Sequence, residues 1–197
     1  MTVVAGPSGS GKSIRFNVRD FGVDCFNVDD RCRELHGSYQ GIPASVRQQA
    51  QEECERFVEE CIRRGRSLAT ETTLRTAAAI EQADRARQAG FFVSVIYVAT
   101  EDVEINVERI RRRGLAGGHS APADVIRENY RQSLSNLSRA LDVFDRGDVY
   151  DNSRSEPRLV LRAACGRMVR AFKPVPRWVR DALVGCSFAA ELDEASR

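Results

Sequence analysis

Lysine is nearly absent from this chain of 197 residues: of its 30 basic residues, only Lys12 and Lys173 are lysines, and the rest are arginines. One of those two lysines stands inside a run of glycines and serines, which argues against a chance match to a phosphate-binding motif there. Net charge is almost lacking too, because 28 acidic residues leave only +2. No field over the whole surface therefore selects nucleic acid or an anionic membrane, and any anion must be bound locally. The six cysteines, Cys25, Cys32, Cys54, Cys61, Cys165 and Cys186, contain no C-x-x-C pair, and only two histidines exist to complete a zinc set. They read as reduced, mostly buried thiols rather than a disulfide or metal framework. No apolar stretch approaches the ~20 residues that span a bilayer, and no charged segment followed by a long apolar run opens the chain. The expected compartment is the cytoplasm, with neither membrane nor nucleic acid as a partner. The length suits a single domain over 1–197 with one core.

What is present alternates between strand and helix patterns. Val3-Val4-Ala5 leads into Gly6-Pro7-Ser8-Gly9-Ser10-Gly11-Lys12-Ser13, after which Ile14 to Asp20 continues as a helix. A second strand is expected at Val23 to Val28, ending in Asp29-Asp30. Ala44 to Arg64 is polar-rich, with Val46, Cys54, Phe57, Val58, Cys61 and Ile62 at helical spacing. Ser67 to Thr70 reads as a strand, Ala77 to Ala89 as a helix closed by Gly90, and Phe91 to Ala99 as a central parallel strand. A helix over Asp102 to Arg113 precedes the turn Gly114 to Gly118, and Pro122 opens a long helix. Its stripe is Ile126, Tyr130, Leu134, Leu137, Leu141 and Phe144. Short extended segments follow at Val149-Tyr150 and near Leu159 to Ala163, and the tail 174–197 reads as a small helical extension. The fold class is α/β: a three-layer P-loop NTPase fold, with a mostly parallel sheet of five or six strands flanked by helices and an arginine-rich helical lid.

The chemistry concentrates at four places. Gly6, Gly11, Lys12 and Ser13 match G-x-x-x-x-G-K-[ST] in full, between strand and helix. In such a loop, glycines let backbone N–H groups curl round a phosphate, Lys12 neutralises β/γ oxygens of ATP, and the Ser13 hydroxyl can ligate Mg²⁺. Asp29, at the end of the second strand, can accept a proton from a substrate hydroxyl; the blander role for Asp29 or Asp30 is to cap the next helix. Thr70-Glu71-Thr72-Thr73-Leu74-Arg75 packs a carboxylate, hydroxyls and a guanidinium into six residues, which suits a polyhydroxylated or phosphorylated substrate or, failing that, a capping turn. Arg109, Arg112 and Arg113 share one helix face before the Gly-rich turn, either as a lid closing on the transferring phosphoryl group or as a solvated basic face. His119, in Gly117-Gly118-His119, is expected to order its loop by a hydrogen bond.

Taken in order, these residues resemble the zeta-toxin family of P-loop kinases. The matching elements run from Ala5 to Ser13, then Phe26-Asn27-Val28-Asp29, Glu71-Thr72-Thr73-Leu74, Arg113 before Gly117-Gly118-His119 with Pro122 after it, Ser133-Leu134-Ser135-Asn136-Leu137, and Tyr150-Asp151-Asn152-Ser153. The resemblance spans Thr2 to about Ala164. It implies ATP-dependent phosphorylation of a hydroxyl on a nucleotide sugar such as UDP-N-acetylglucosamine, and an antitoxin protein as partner. By position it makes Asp29 the base, Glu71 and Thr73 substrate ligands, with Arg75 beside them, and Arg113 a charge-stabilising arginine. Where the family carries a pattern like R-Y-x-R-S-L, this chain reads Asn129-Tyr130-Arg131-Gln132-Ser133-Leu134, so two expected guanidinium groups are absent. Arg127 and Arg131 lie a turn apart on the same helix, but a shift of one position turns a side chain by ~100°. Two other readings stand beside the kinase. One is a nucleotide-dependent switch or ATPase working through a protein partner, against which no N-K-x-D, L-S-G-G-Q or clean Walker B pattern appears. The other is a degenerate member that binds ATP without catalysis.

Overall fold

Val3, Val4 and Ala5 are all fully buried, which only a strand flanked on both sides and covered on both faces achieves. In the computed structural model, which describes residues 1–118 and 120–196, this strand, β1 (Thr2–Ala5), lies between β3 (Leu68–Thr72) and β4 (Ser94–Ala99), parallel to both. β2 (Asp24–Asn27) pairs in parallel outside β3, and β5 (Arg146–Asp151) outside β4. β6 (Arg158–Ala164) and β7 (Arg167–Ala171) then add an antiparallel hairpin, giving the order β2-β3-β1-β4-β5-β6-β7. The sheet thus has seven strands, where five or six were expected. β7 has no alternating apolar pattern to betray it: Arg167, Val169 and Arg170 are exposed, and only Met168 and Ala171 lean on the core.

The helices are α1 (Lys12–Arg15), α2 (Val28–His36), α3 (Ala44–Arg63), α4 (Ala78–Gln88), α5 (Val103–Leu115), α6 (Ala123–Ser135), α7 (Leu137–Val143), α8 (Arg177–Ala182) and α9 (Ala189–Ser196), with a 3₁₀ turn at Val18–Phe21. Four differ from expectation. The helix expected over Ile14 to Asp20 stops at Arg15, because Phe16 leaves helical backbone and the Asn17 side chain starts a new turn by accepting from the Arg19 N–H. The second strand stops at Asn27, whose side-chain oxygen accepts from the N–H groups of Asp29 and Asp30 and so caps α2. α2 was not legible because Cys32 is its only fully buried residue. The long helix after Pro122 is two helices meeting at Asn136. The apolar stripe runs through the junction unbroken, with Ile126, Leu137, Leu141 and Phe144 all buried. The tail forms two helices rather than one, and Val175, Trp178, Val179, Leu183, Phe188 and Leu192 join the main core.

All six cysteines are unpaired; Cys32, Cys54, Cys61 and Cys186 are buried, and burial pushes the Cys54 thiol up to about 12. Among the described residues no helix is long and apolar enough to cross a membrane. His119, expected to order its loop, lies outside the described residues. Because five strands run parallel, their carboxyl ends share one edge of the sheet. Every segment singled out for chemistry leaves from that edge or returns to it.

Candidate active site

The loop between β1 and α1 owes its path to three glycines in left-handed or otherwise positive-φ backbone: Gly6 at φ 139°, Gly9 at 80° and Gly11 at 89°. Space forbids a side chain at each as well. A Cβ would come 2.0 Å from Val98 O at Gly6, 2.7 Å from Asn106 O at Gly9 and 2.3 Å from Asn152 Nδ2 at Gly11. Two asparagines complete the cradle. Asn106 Nδ2 donates to Ser8 O and Asn152 Nδ2 donates to Ser10 O, each at 2.7 Å, and both asparagines are buried. By engaging two loop carbonyls, these amides fix the path of the loop, within which the Ser10 N–H donates to Pro7 O at 3.2 Å.

Lys12 is 7% exposed, its Nζ 3.5 Å from Pro7 O and 3.8 Å from Glu71 Oε1. Glu71 sits near the end of β3, in register with Val4 of β1 on one side and Asn27 of β2 on the other. Its side chain is 6% exposed; Oε1 accepts from Ser13 Oγ at 2.7 Å and Oε2 from Asn27 Nδ2 at 3.2 Å. Glu71, expected as a substrate ligand, has its carboxylate turned onto the hydroxyl and ammonium of the phosphate loop.

Asp29 lies in the first turn of α2 with its side chain exposed, while Asp30 is occupied by Arg19 at 3.0 Å and Tyr39 Oη at 2.8 Å. Of the two neighbours, Asp29 is the one turned to solvent at the strand edge, and Asn27 does the capping. Past β3, Thr73 is half-buried and Arg75 exposed, on either side of Leu74, whose φ is +55°.

The arginines of α5 do not act as one face. Arg112 pairs with Glu108, whose carboxyl Arg111 and Arg112 together pull down to about 2. Arg109 turns inward: Nη2 donates to Asn152 O at 2.9 Å, and Nη1 is a buried nitrogen without a hydrogen-bond partner, 4.0 Å from where a Gly11 Cβ would stand. Burial, and then the charge of Arg15, lower the pKa of this guanidinium, with Asp151 opposing. Arg113, one turn on, is exposed and gripped by the Gly-rich turn: Gly118 N–H donates to Arg113 O at 2.9 Å, and a Cβ on Gly118 would meet Arg113 Cγ at 2.6 Å. Arg127 and Arg131, on the same helix, are both exposed and paired with Glu104 and Glu128 respectively.

The oxygen donors present suit the ions that accompany a nucleoside triphosphate. Ser13 and Glu71 offer a hydroxyl and one carboxylate, the sparse hard set that Mg²⁺ takes when phosphates fill its other positions. Among the described residues no group of three or more His, Cys, Asp or Glu is placed to hold a metal alone.

Sequence reasoning named the loop, Lys12, Ser13, Asp29 and Glu71, and did not single out Asn106 or the contact of Arg109 with Asn152. Asn152 fell within a matched motif without a role. No local signal marks either asparagine, because each meets its partner across 98 or 142 residues.

Comparison with solved structures gives the same fold. A chain of the PezAT chromosomal toxin–antitoxin system of Streptococcus pneumoniae superposes with a TM-score of 0.60 at 20% identity, over 100% of this chain and 84% of that one. A chain of the AvrRxo1-ORF1:-ORF2 complex with ATP gives 0.65 at 15%, over 99% and 62%. A sugar kinase from Janibacter sp. HTCC2649 gives 0.51 at 20%, over 99% and 95%. An uncharacterized protein of Haemophilus influenzae is 35% identical over 60 residues, 30% of this chain and 43% of that protein, so the match spans less than half of the relative. Residues 1–139, which include the phosphate loop, Asp29, Glu71 and the α5 arginines, match the AAA domain, and with its P-loop and its parallel sheet the chain belongs to that family.

Proposed function

We propose that this protein is an ATP-dependent kinase that transfers the γ-phosphate to a hydroxyl of a small molecule, with UDP-N-acetylglucosamine the first acceptor to test. The observation that carries the reading is Glu71. A carboxylate on the strand beside the P-loop strand, bonded to the loop serine and 3.8 Å from the loop lysine, is an arrangement for handling a metal-bound triphosphate. The sugar kinase and toxin–antitoxin neighbours support a phosphotransferase on this fold, and the latter supports an antitoxin as partner. The acceptor itself rests on the resemblance to zeta-toxin kinases.

In this reading the loop N–H groups and Lys12 hold the β- and γ-phosphates. Ser13 and Glu71 would hold Mg²⁺, which when bound would neutralise charge on the phosphates. Asp29 takes the proton from the acceptor hydroxyl as its oxygen bonds to the γ-phosphorus. The bond from that phosphorus to the β,γ-bridging oxygen breaks, and ADP leaves. Thr73 and Arg75 orient the acceptor, and Arg113 stabilises charge on the phosphoryl group. A second reading, an ATP-binding protein that acts through a partner without catalysis, is favoured by the engagement of Arg127 and Arg131 elsewhere while Asn129 and Gln132 stand in the arginine positions.

One assay separates them. The chain is incubated with γ-labelled ATP and either UDP-N-acetylglucosamine or a small-molecule extract, and labelled products are identified by mass spectrometry. A single labelled metabolite is expected. Lys12→Ala should abolish both nucleotide binding and turnover, whereas Asp29→Asn should cut turnover by about 10²–10⁴ with ATP affinity retained. No labelled metabolite, together with turnover indifferent to Asp29→Asn, would sink the kinase reading.

A further inference from the structure

Three polar side chains on α6 and its cap stand at steps of three, Tyr130, Ser133 and Asn136, and so share one face of the helix. Each is bonded to a segment that carries the site. Tyr130 Oη donates to Thr100 O at the end of β4; Thr100 Oγ1 donates to Asn106 Oδ1, and Asn106 Nδ2 holds Ser8 O. That arm ends in the phosphate loop. Ser133 Oγ shares a buried hydrogen bond of 3.0 Å with Tyr97 Oη inside β4. Asn136 Nδ2 donates to Leu74 O at 3.0 Å, directly beyond Thr73.

Leu74 is an unusual anchor. Its φ of +55° lies in the left-handed region that non-glycine residues avoid, and its side chain is 0% exposed, so a glycine there would empty part of the core. Its N–H is taken by Thr72 Oγ1 at 3.1 Å and its carbonyl by Asn136. Such backbone persists only where surrounding contacts over-determine it, and it gathers at sites that present side chains to ligands.

We propose that Asn136 is a positioning residue for acceptor specificity. Through Leu74 it fixes the turn that presents Thr73 and Arg75, while Tyr130 on the same face fixes the phosphate loop, so that α6 sets the spacing between the two substrates. The proposal rests on the reading of that turn as the acceptor site. A purely structural role for the α6–α7 junction would affect both substrates alike; the two-armed arrangement separates them.

The test uses the full chain as wild type, Asn136→Ala, Asn136→Asp and Tyr130→Phe. The aspartate variant keeps the shape and removes the donor, and carries the test if the alanine variant does not fold. Two quantities are measured: amide hydrogen exchange at residues 73–76 without ligand, and KM for ATP and for UDP-N-acetylglucosamine separately. Both Asn136 variants should speed exchange at 73–76 and raise the acceptor KM about tenfold, with the ATP KM within about twofold of wild type. Tyr130→Phe should do the reverse, raising the ATP KM and sparing the acceptor. Unchanged exchange at 73–76, or an equal rise in both KM values, overturns the proposal. If the wild type transfers no phosphate to UDP-N-acetylglucosamine, that acceptor falls by itself. Exchange at 73–76 then decides the pinning of the turn by Asn136: faster exchange upholds it and unchanged exchange overturns it.

Discussion

A methyl group at position 11 would meet two obstacles together. Gly11 has φ 89°, which L side chains disfavour, and its Cβ would lie 2.3 Å from the Asn152 amide nitrogen that holds Ser10 O. Relief requires Asn152 to move, and the loop then loses one of the two amides that hold its carbonyls. Gly11→Ala should therefore weaken ATP binding by about tenfold or more in calorimetric titration while leaving the melting temperature within a few degrees, because the clash is confined to the site. Wild-type affinity in that variant would mean that Asn152 does not shape the loop. At this scale the glycines, Lys12 and Ser13 were legible because they are contiguous and each type has one physical use there. The asparagines were not, since a buried amide in a sequence looks like any other. Glu71 falls between: its presence at a strand end was readable, its grip on Ser13 and Lys12 was not, because register between strands is set by the whole sheet.

Elements join most delicately where the parallel sheet meets its antiparallel hairpin. There Asp148 of β5, 7% exposed, accepts from Arg162 of β6 at 2.6 Å and from Arg146 at 2.7 Å. Burial alone would raise its pKa, but the hydrogen bonds from Arg162 and then Arg146 outweigh it and hold the carboxyl below its ordinary value. A carboxylate depressed in the folded state adds stability above its unfolded pKa of ~3.9, and that stability is lost as pH falls through the lower folded value. Asp148→Asn should therefore lower the melting temperature at pH 7 by a few degrees, about 1–2 kcal/mol, with the gap to wild type closing below about pH 4. A gap that stays constant from pH 7 to pH 3 would show that the charge contributes nothing. The same junction explains what was legible among the elements. β1, β3, β4 and the α3 and α4 patterns are apolar enough to read directly, whereas β7 exposes Arg167 and Arg170 and α2 buries only Cys32 fully. The break at Asn136 was hidden because it does not interrupt the buried stripe, so tertiary hydrogen bonding rather than periodicity ends α6.

Across the whole molecule, the match to the AAA domain stops at residue 139, yet the loop is completed by Asn152, beyond that limit, and the tail beyond β7 is tied to the same edge. Trp178 of α8 is buried; its ring centroid lies 6.4 Å from that of Tyr97, and its Nε1 donates to Asp151 Oδ1 at 3.3 Å. Asp151 Oδ1 also accepts from Ser153 Oγ, which in turn accepts from the Glu101 N–H at 2.8 Å. One indole thus braces the ends of β4 and β5 from below, immediately before the asparagine that supports the phosphate loop. Trp178→Ala removes both ring and donor and should cost about 3–5 kcal/mol, a fall of about 6–20 °C in melting temperature. Trp178→Phe keeps most of the buried area and should cost only about 1 kcal/mol, the net worth of one hydrogen bond. Because Asp151 adjoins Asn152, the alanine variant should also bind ATP more weakly at temperatures where it remains folded, and the phenylalanine variant should lie between it and wild type. If thermal melting of Trp178→Ala matched wild type, the tail would be an appendage, and the sheet edge that builds the site would owe nothing to it.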